Sequence, residues 1–324
     1  MITSDKIAQL CGVSRGTVDR ALNNRGRISP KTKERVLKVA SKYGYKPDFI
    51  ARSLATGVTY TIGVIVLDLY NQFFSDLLNC VEAEARKRGY FIHIALSHRN
   101  AGSENSALEH FINRKVDGII LYSVQHRSEM FSKVDAAGIP MVSIINRIGH
   151  KCGYIGINDK NAIFDAVKCL VDTGHKNIGY ISFPLDSTGE INQYALTERF
   201  NGFKEALAKL NLPFDQRRMI VDSGLHEGLK RLLDGVRSGS QVLPDAFVCV
   251  DDLYAIETIH FLKKYSINVP EDISIIGFDN IQASGLTTPA LTTVEYPVDI
   301  IAQKAVSRIV SEASRRAHAD VKNE

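Results

Sequence analysis

The sequence predicts an α/β protein in which a small all-α amino-terminal domain precedes a larger part made of two parallel-sheet lobes. Residues 1–60 contain twelve Lys or Arg against four Asp or Glu, a local net charge of +8 in a chain whose total is +4. From Thr61 onward, apolar strands alternate with amphipathic helices, which is typical of parallel sheets covered on both faces. Residues 61–324 are too many for one open-sheet domain, so two lobes are expected.

The basic amino-terminal segment is predicted to form three short helices. Gly12 allows a tight turn after the first helix, and Ser14 can cap the second. Apolar residues recur at helical spacing in the second helix, which leaves Arg15 and Arg20 in solvent. Ser29 can cap the third helix. Two short helices across a glycine-containing turn make a helix-turn-helix, whose second helix enters the DNA major groove. A merely solvated helical surface is the alternative explanation of the charge.

The same segment resembles the amino-terminal signature of the LacI/GalR family of bacterial transcription regulators. The matching residues are Gly12, Val13, Ser14, Thr17, Val18, Arg20, Leu22, Asn23, Ile28, Ser29, Thr32, Gly44, Tyr45, Pro47, Ala51, Arg52 and Leu54. The resemblance implies DNA contacts by Ser14, Arg15, Thr17, Arg20, Asn23, Arg27, Ser29, Thr32, Ala51 and Leu54. Asp19 stands where the family usually has Ser, and Gly16 offers no side chain to a base. Arg15 and Arg20 are therefore expected to carry most of the base reading.

A linker is expected between the basic domain (1–46) and the α/β part (59–324). Residues 48–55 are a helix candidate closed by Gly57, too short to persist alone in water. In the family, similar segments order when two copies meet on the operator, and the leucine that matches Leu54 wedges into the minor groove. The alternative for residues 47–58 is an ordinary flexible linker.

Ten strands are predicted in the α/β part. They are Ile62–Leu67, Phe91–Leu96, Gly118–Tyr122, Met141–Ile145, Tyr154–Ile157, Ile178–Phe183, Met219–Asp222, Phe247–Val250, Ile273–Phe278 and Thr292–Glu295. The last strand and the helix from Val298 are expected to return to the first lobe, so lobe 1 is residues 59–159 plus 291–324 and lobe 2 is 160–290. Stretches such as residues 276–280 and 288–294 resemble the periplasmic-binding-protein-like sensor of the same family.

A small-molecule effector is expected between the lobes, because ligands bind at the carboxyl ends of parallel strands. Asn146, Asp251 and Asp279 follow predicted strands, and carboxylates and amides suit a sugar-like polyol. The resemblance adds Arg199 as an effector-holding residue and Phe73 as a ring that could stack on a sugar. Phe74 is expected in the core, and the alternative role for Asp252 is to cap the helix that follows it.

The sequence thus predicts a DNA-binding transcription regulator, a repressor, that binds a palindromic operator in double-stranded DNA as a homodimer. An enzyme or a sugar-binding protein with an appended basic domain is the alternative. Residues 12–16 match the G-x-S-x-G of hydrolases, but a polar helix precedes them where a strand is needed. No metal-ligand spacing or phosphate loop occurs, so no metal or cofactor is expected. Without a signal peptide, a membrane-spanning run or a C-x-x-C pair, a cytoplasmic location is expected.

Overall fold

The chain divides into two compact units, residues 1–59 and residues 60–324. The computed structural model describes residues 2–22, 26, 28–45, 57–186, 188–221 and 224–322, with side chains up to residue 316. The predicted linker helix 48–55 lies outside the described residues.

The basic unit contains three helices, α1 (Ser4–Cys11), α2 (Arg15–Leu22) and α3 (Pro30–Lys42). Thr3 caps α1 and Ser29 caps α3, each accepting a backbone N–H three residues on. Gly12 ends α1 with φ 57°, in the left-handed region where glycine is unstrained. A small apolar core, centred on the fully buried Ile7, Val18 and Val36, holds the three helices together.

The α/β unit, residues 60–324, alternates strands and helices as expected. Its strands are β1 (Thr61–Val66), β2 (Phe91–Leu96), β3 (Gly118–Leu121), β4 (Met141–Ile144), β5 (Gly153–Ile155), β6 (Ile178–Ile181), β7 (Met219–Ile220), β8 (Ala246–Cys249), β9 (Ser274–Asp279) and β10 (Thr292–Glu295). Its helices are α4 (Gln72–Lys87), α5 (Ala101–Asn113), α6 (Glu129–Ala136), α7 (Asp159–Asp172), α8 (Tyr194–Lys209), α9 (Leu225–Arg237), α10 (Asp252–Lys263) and α11 (Val298–Lys322). Short 3-10 turns occupy Gln216–Arg218 and Gln282–Leu286.

Two five-stranded parallel sheets define the two lobes. The first has the order β2-β1-β3-β4-β5 and the second has the order β10-β9-β8-β6-β7. The prediction that the last strand returns to the first lobe is wrong, because Thr292–Glu295 pairs with Ile276–Asp279 in the second sheet. The helix that follows does return, since α11 packs against α4, β3 and β4 of the first lobe.

Each sheet is covered on both faces. In β1, Ile62 and Val64 face the core that includes α4 and α11, whereas Ile65 faces the core built with α5 and α6. The return helix packs closely on the first sheet: a Cβ at Gly118 would lie 2.3 Å from Ile309, so only glycine fits there. No helix among the described residues is both long and apolar enough to cross a membrane.

Candidate functional site

The exposed face of α2 presents the basic side chains predicted to read DNA. Val18 and Ala21 are buried, while Arg15 and Arg20 project into solvent. The Arg20 Nε donates to the Gly16 carbonyl 3.1 Å away, which lays the side chain along the helix. The Arg15 Nη1 lies 3.8 Å from Asp5 Oδ2, in an exposed pair of small energetic weight. Both guanidinium groups therefore remain available to a partner.

The four hydroxyl side chains that are predicted to contact DNA lie in two pairs, at the starts of α2 and α3. Ser14 Oγ accepts the Thr17 N–H at 3.2 Å and lies 3.0 Å from the Thr17 hydroxyl. Ser29 and Thr32 repeat the arrangement at 3.2 and 2.8 Å. These groups satisfy backbone donors at helix amino termini, where phosphate oxygens also bind. The predicted contacts Asn23, Arg27, Ala51 and Leu54 lie outside the described residues.

A cavity of about 320 Å³ lies between the two lobes of the α/β unit. Its walls include four of the five predicted effector residues, Phe73, Arg199, Asp251 and Asp279. Phe74, which was expected in the core, also lines it while remaining 6% exposed. The volume falls at the lower end of the range for small-molecule sites.

Arg199 on α8 is buried and held from several directions. Its Nε donates to Asp159 Oδ1 at 2.9 Å and its Nη1 donates to the Val250 carbonyl at 2.6 Å. Its guanidinium carbon lies 3.6 Å from the centre of the Phe278 ring. Burial opposes the charge, but the carboxylates of Asp159 and Asp279 keep the pKa of Arg199 above its ordinary value. The cavity thus contains a fixed cation.

Asp279 closes β9 beside that cation. Arg199 Nη2 and Asp279 Oδ1 are 3.7 Å apart, an ion pair too long to be a hydrogen bond, so both groups keep capacity for a ligand. Burial raises the pKa of Asp279 well above its ordinary value, against the pull of Arg199. Asp279 has φ 104° and Ile145, on the opposite lobe, has φ 63°. Such strained backbone clusters at ligand sites, and both residues line this cavity.

Asp251 has a double role at the second lobe. Its Oδ1 accepts the Tyr254 N–H at 2.8 Å, so Asp251, and not Asp252, caps α10. Asn71 of the first lobe donates to its Oδ2 at 3.4 Å. Burial raises the pKa of Asp251 to about 6. Asp252 instead accepts the Ile281 N–H at 2.9 Å and fixes the loop after β9.

Asn146 does not line the cavity, contrary to the expectation of an effector contact. Its Nδ2 donates to the carbonyls of Ser123 at 3.1 Å and Asn192 at 2.9 Å, and its Oδ1 accepts the Ala195 N–H at 3.1 Å. Its amide is therefore committed to protein partners. Ser123 belongs to the first lobe, whereas Asn192 and Ala195 belong to the second, so Asn146 joins the lobes.

Asn192 of the second lobe is one of the residues that sequence reasoning missed. It is 3% exposed. Its N–H donates to the Val124 carbonyl at 2.9 Å, and its Nδ2 donates to the carbonyls of Gln125 at 3.2 Å and Arg147 at 3.1 Å. These acceptors belong to the first lobe, so Asn192 pins the two lobes together. Asn192 precedes α8 in an irregular segment with no motif, and hence gave no signal.

A DNA-binding helical unit followed by a two-lobed α/β sensor with an interlobe cavity defines the class of ligand-responsive DNA-binding proteins. Residues 4–48 match the model of the lacI family of bacterial regulatory proteins, and residues 167–323 match that of the periplasmic binding protein-like domain. Catabolite control protein A of Priestia megaterium is 32% identical over 92% of this chain and 88% of its own. The regulator AscG of Escherichia coli K12 is 30% identical over 96% of this chain and 91% of its own. The repressor PurR of Histophilus somni strain 2336 is 27% identical over 98% of this chain and 93% of its own.

Solved structures agree on the fold. The lac repressor dimer bound to operator and the anti-inducer ONPF superposes with a TM-score of 0.80 at 22% identity, covering 98% of this chain and 94% of that chain. A complex of the regulator CelR with cellobiose gives a TM-score of 0.68 at 24% identity, with coverages of 98% and 94%. The chain belongs to the LacI family of bacterial regulatory proteins and is a DNA-binding transcription regulator with a ligand-binding sensor unit. The family predicted from the sequence is confirmed.

Proposed function

We propose that the protein is a repressor that binds an inverted-repeat operator as a homodimer, and that a sugar-like effector between the sensor lobes controls its operator affinity. The observation that carries the effector proposal is the buried Arg199–Asp279 pair in the interlobe cavity. A guanidinium and a carboxylate side by side offer donors and acceptors at the spacing of vicinal hydroxyls. The helix-turn-helix supports the operator proposal, since one recognition helix buries too little surface to specify a site alone.

We propose that effector binding and operator binding are coupled through the arrangement of the two lobes. Phe73 belongs to the first lobe, whereas Arg199 and Asp279 belong to the second, so a ligand that touches both sets favours one closure angle. Residues 47–58 lead directly into β1 of the first lobe. A change in lobe angle therefore alters the spacing of the two linkers in a dimer and, with it, the fit of the paired recognition helices.

The operator proposal is tested by mixing genomic DNA fragments with the full-length protein and sequencing the fragments that it retains. An inverted repeat bound by a species that sediments as a dimer is the expected result. A monomer at micromolar concentration that binds a single half-site tightly contradicts the proposal. The same fragment then serves in all effector measurements.

The effector response is tested by measuring the affinity for the operator with and without each of a set of sugars that bacteria catabolise. Asp279→Asn should abolish the response and leave ligand-free operator affinity within a few-fold, because the basic unit that contacts DNA is unchanged. Glu271→Gln, an exposed carboxylate outside the cavity, is the matched control and should respond fully. A full response from Asp279→Asn overturns the assignment of the pocket.

A further inference from the structure

The walls of the interlobe cavity contain more acidic than basic side chains. Among the described residues, four carboxyl groups and two guanidinium groups line it, those of Asp68, Asp251, Glu257, Asp279, Arg99 and Arg199. Asp279 lies 3.7 Å from Arg199. In the described part of the chain, the other three carboxyl groups have no cation within ion-pair distance. The cavity therefore favours a ligand that brings positive charge.

The two arginines are already engaged elsewhere. Arg199 donates to Asp159 at 2.9 Å and to the Val250 carbonyl at 2.6 Å, so its charge serves mainly a carboxylate outside the cavity. Arg99 lies over the Phe183 ring, with its guanidinium carbon 5.0 Å from the ring centroid. Arg99 is also exposed, and water and salt screen an exposed charge. Neither guanidinium therefore neutralises the unpaired acids of the wall.

Asp251 is the unpaired carboxyl group that is removed furthest from water. It is 4% exposed, whereas Asp68 is partly buried and Glu257 is exposed. Its Oδ1 accepts the Tyr254 N–H at 2.8 Å, but its Oδ2 receives only the long bond of 3.4 Å from the Asn71 amide. Burial raises the pKa of Asp251 to about 6, and neighbouring carboxylates add to the rise. A cation at Oδ2 would stabilise the ionised carboxylate that burial disfavours.

One face of α10 carries groups that suit an ammonium ion. Asp251, Tyr254 and Glu257 follow one another at intervals of three residues, and all three line the cavity. Burial and the carboxylates of Asp251 and Glu257 raise the pKa of Tyr254, so its hydroxyl lies in their negative field. An ammonium ion donates three hydrogen bonds and accepts none, which matches a wall of acceptors. The Phe183 ring, with its centroid 4.3 Å from that of Tyr254, extends this wall with a π-face that also attracts cations.

We infer that the effector carries a protonated amino group, which binds Asp251 and lies in the field of Glu257. This rests on the proposed function, which places the hydroxyl groups of the effector against Arg199 and Asp279. The class of ligand is thus a hydroxylated primary amine, of which an amino sugar is the simplest example. An anionic effector would meet the unpaired carboxylates at short range in a partly desolvated site, which is unfavourable.

The test measures affinities by calorimetry on the full-length protein at neutral pH. The probes are glucose, galactose and mannose, their 2-amino-2-deoxy and 6-amino-6-deoxy forms, and the N-acetyl derivatives of all these amines. The preferred amino sugar should bind roughly tenfold to a hundredfold more tightly than its parent sugar, because a charge-assisted hydrogen bond to a buried carboxylate replaces a neutral one. N-acetylation removes the charge and should remove this advantage.

Two substitutions locate the amino group. Asp251→Asn removes the charge and retains a good helix cap, so it should weaken the amino sugar about tenfold more than the parent sugar. Glu257→Gln should reduce the preference only by a few-fold, because the charge of an exposed carboxylate is screened. Asp165→Asn, at an exposed aspartate of α7 outside the cavity, is the matched control and should leave the preference unchanged.

The outcomes separate the two proposals. If the parent sugars bind as tightly as every amino form, or if Asp251→Asn retains the full preference, the inference is overturned and the sugar-like effector is left intact. Binding of none of the probes overturns the proposed effector class itself, and the inference with it.

Discussion

At the scale of single residues, Arg199 combines two tasks that are difficult to separate by mutation. It faces the cavity, and it is also the cation that neutralises Asp159 and Asp279 in a buried cluster. Removal of one partner from such a cluster leaves uncompensated buried charge. A lost effector response in an Arg199 variant therefore does not by itself demonstrate a lost ligand contact.

This double task gives a stability prediction. Arg199→Met should lower the free energy of unfolding by about 3–5 kcal/mol, because Asp159 and Asp279 remain buried without their cation. Urea denaturation followed by circular dichroism measures it. Arg199→Met combined with Asp159→Asn should recover part of the loss. A loss below about 1 kcal/mol would show that the cluster contributes little to the fold.

Asp251 gives a prediction with a defined pH window. Its pKa is raised from 3.8 to about 6, so the native chain binds more protons than the unfolded chain between these values. Stability therefore falls as pH rises through that window, by at most about 3 kcal/mol. Asp251→Asn removes the ionisation and retains a good helix cap. The variant should melt above the wild type at pH 8, by about half as much at pH 5, and close to it near pH 4.

The measurement is differential scanning fluorimetry across that range. Glu271→Gln, an exposed carboxylate, should show no pH-dependent gap from the wild type. A gap of equal size at pH 4 and pH 8 would assign the effect to packing and not to protonation.

Two of the cavity residues could be predicted from the sequence because the carboxyl ends of strands can be recognised from apolar runs. Asp251 and Asp279 follow such runs, and the structure places both in the cavity wall. Asn146 was expected there by the same rule, yet its amide is directed to Asn192 and Ala195. Strand ends specify which edge of a sheet a residue occupies. They do not specify where its side chain points, and this depends on contacts across the lobes.

At the scale of elements, α2 gives the DNA prediction. Arg20→Ala should weaken operator binding by about 1–3 kcal/mol and relax base preference at one position per half-site, because Arg binds guanine in a bidentate manner. The measurement compares variant and wild type on the operator and on random DNA. An equal loss on both would make Arg20 a phosphate contact.

Two further variants calibrate this comparison. Lys31→Ala, near the start of α3, should weaken both DNAs alike and lower the salt dependence. Arg237→Ala, at an exposed arginine of the sensor unit, removes a charge of the same kind far along the chain and should change neither affinity.

The periodicity of apolar residues predicted where the strands lie in the sequence, but it did not predict which strands pair with each other. All ten predicted strands are present, most within one or two residues of the expected ends. The lobe of β10 was mistaken because its residues precede α11, which packs on the first lobe. A four-residue strand at the edge of a sheet has no sequence pattern from which the neighbouring strand can be predicted. Only its register with β9 reveals the sheet to which it belongs.

At the scale of the whole molecule, Asn192 provides the prediction. Its Nδ2 donates to two carbonyls of the first lobe, and Asn192→Ala removes both bonds, so the substitution should loosen lobe closure in the ligand-free protein. Amide hydrogen exchange should rise in the loops that supply those carbonyls, around residues 123–126 and 146–148. Asn161→Ala, at an exposed asparagine of α7, is the control. Unchanged exchange in both loops would mean that other contacts hold the lobes.

The return of α11 to the first lobe has a consequence for the order in which the nascent chain can fold. The sheet of that lobe is complete by Ile155, but Ile309 covers it only after the whole second lobe has been made. The second sheet likewise waits for β10 at its edge. Contacts so distant along the chain form slowly, and unfinished lobes expose apolar strands in the meantime. The apolar core of the helical unit, in contrast, is formed by residues between Ile2 and Tyr45, all of which are made before the first strand. During synthesis the DNA-binding unit can thus be folded well before the sensor that regulates it.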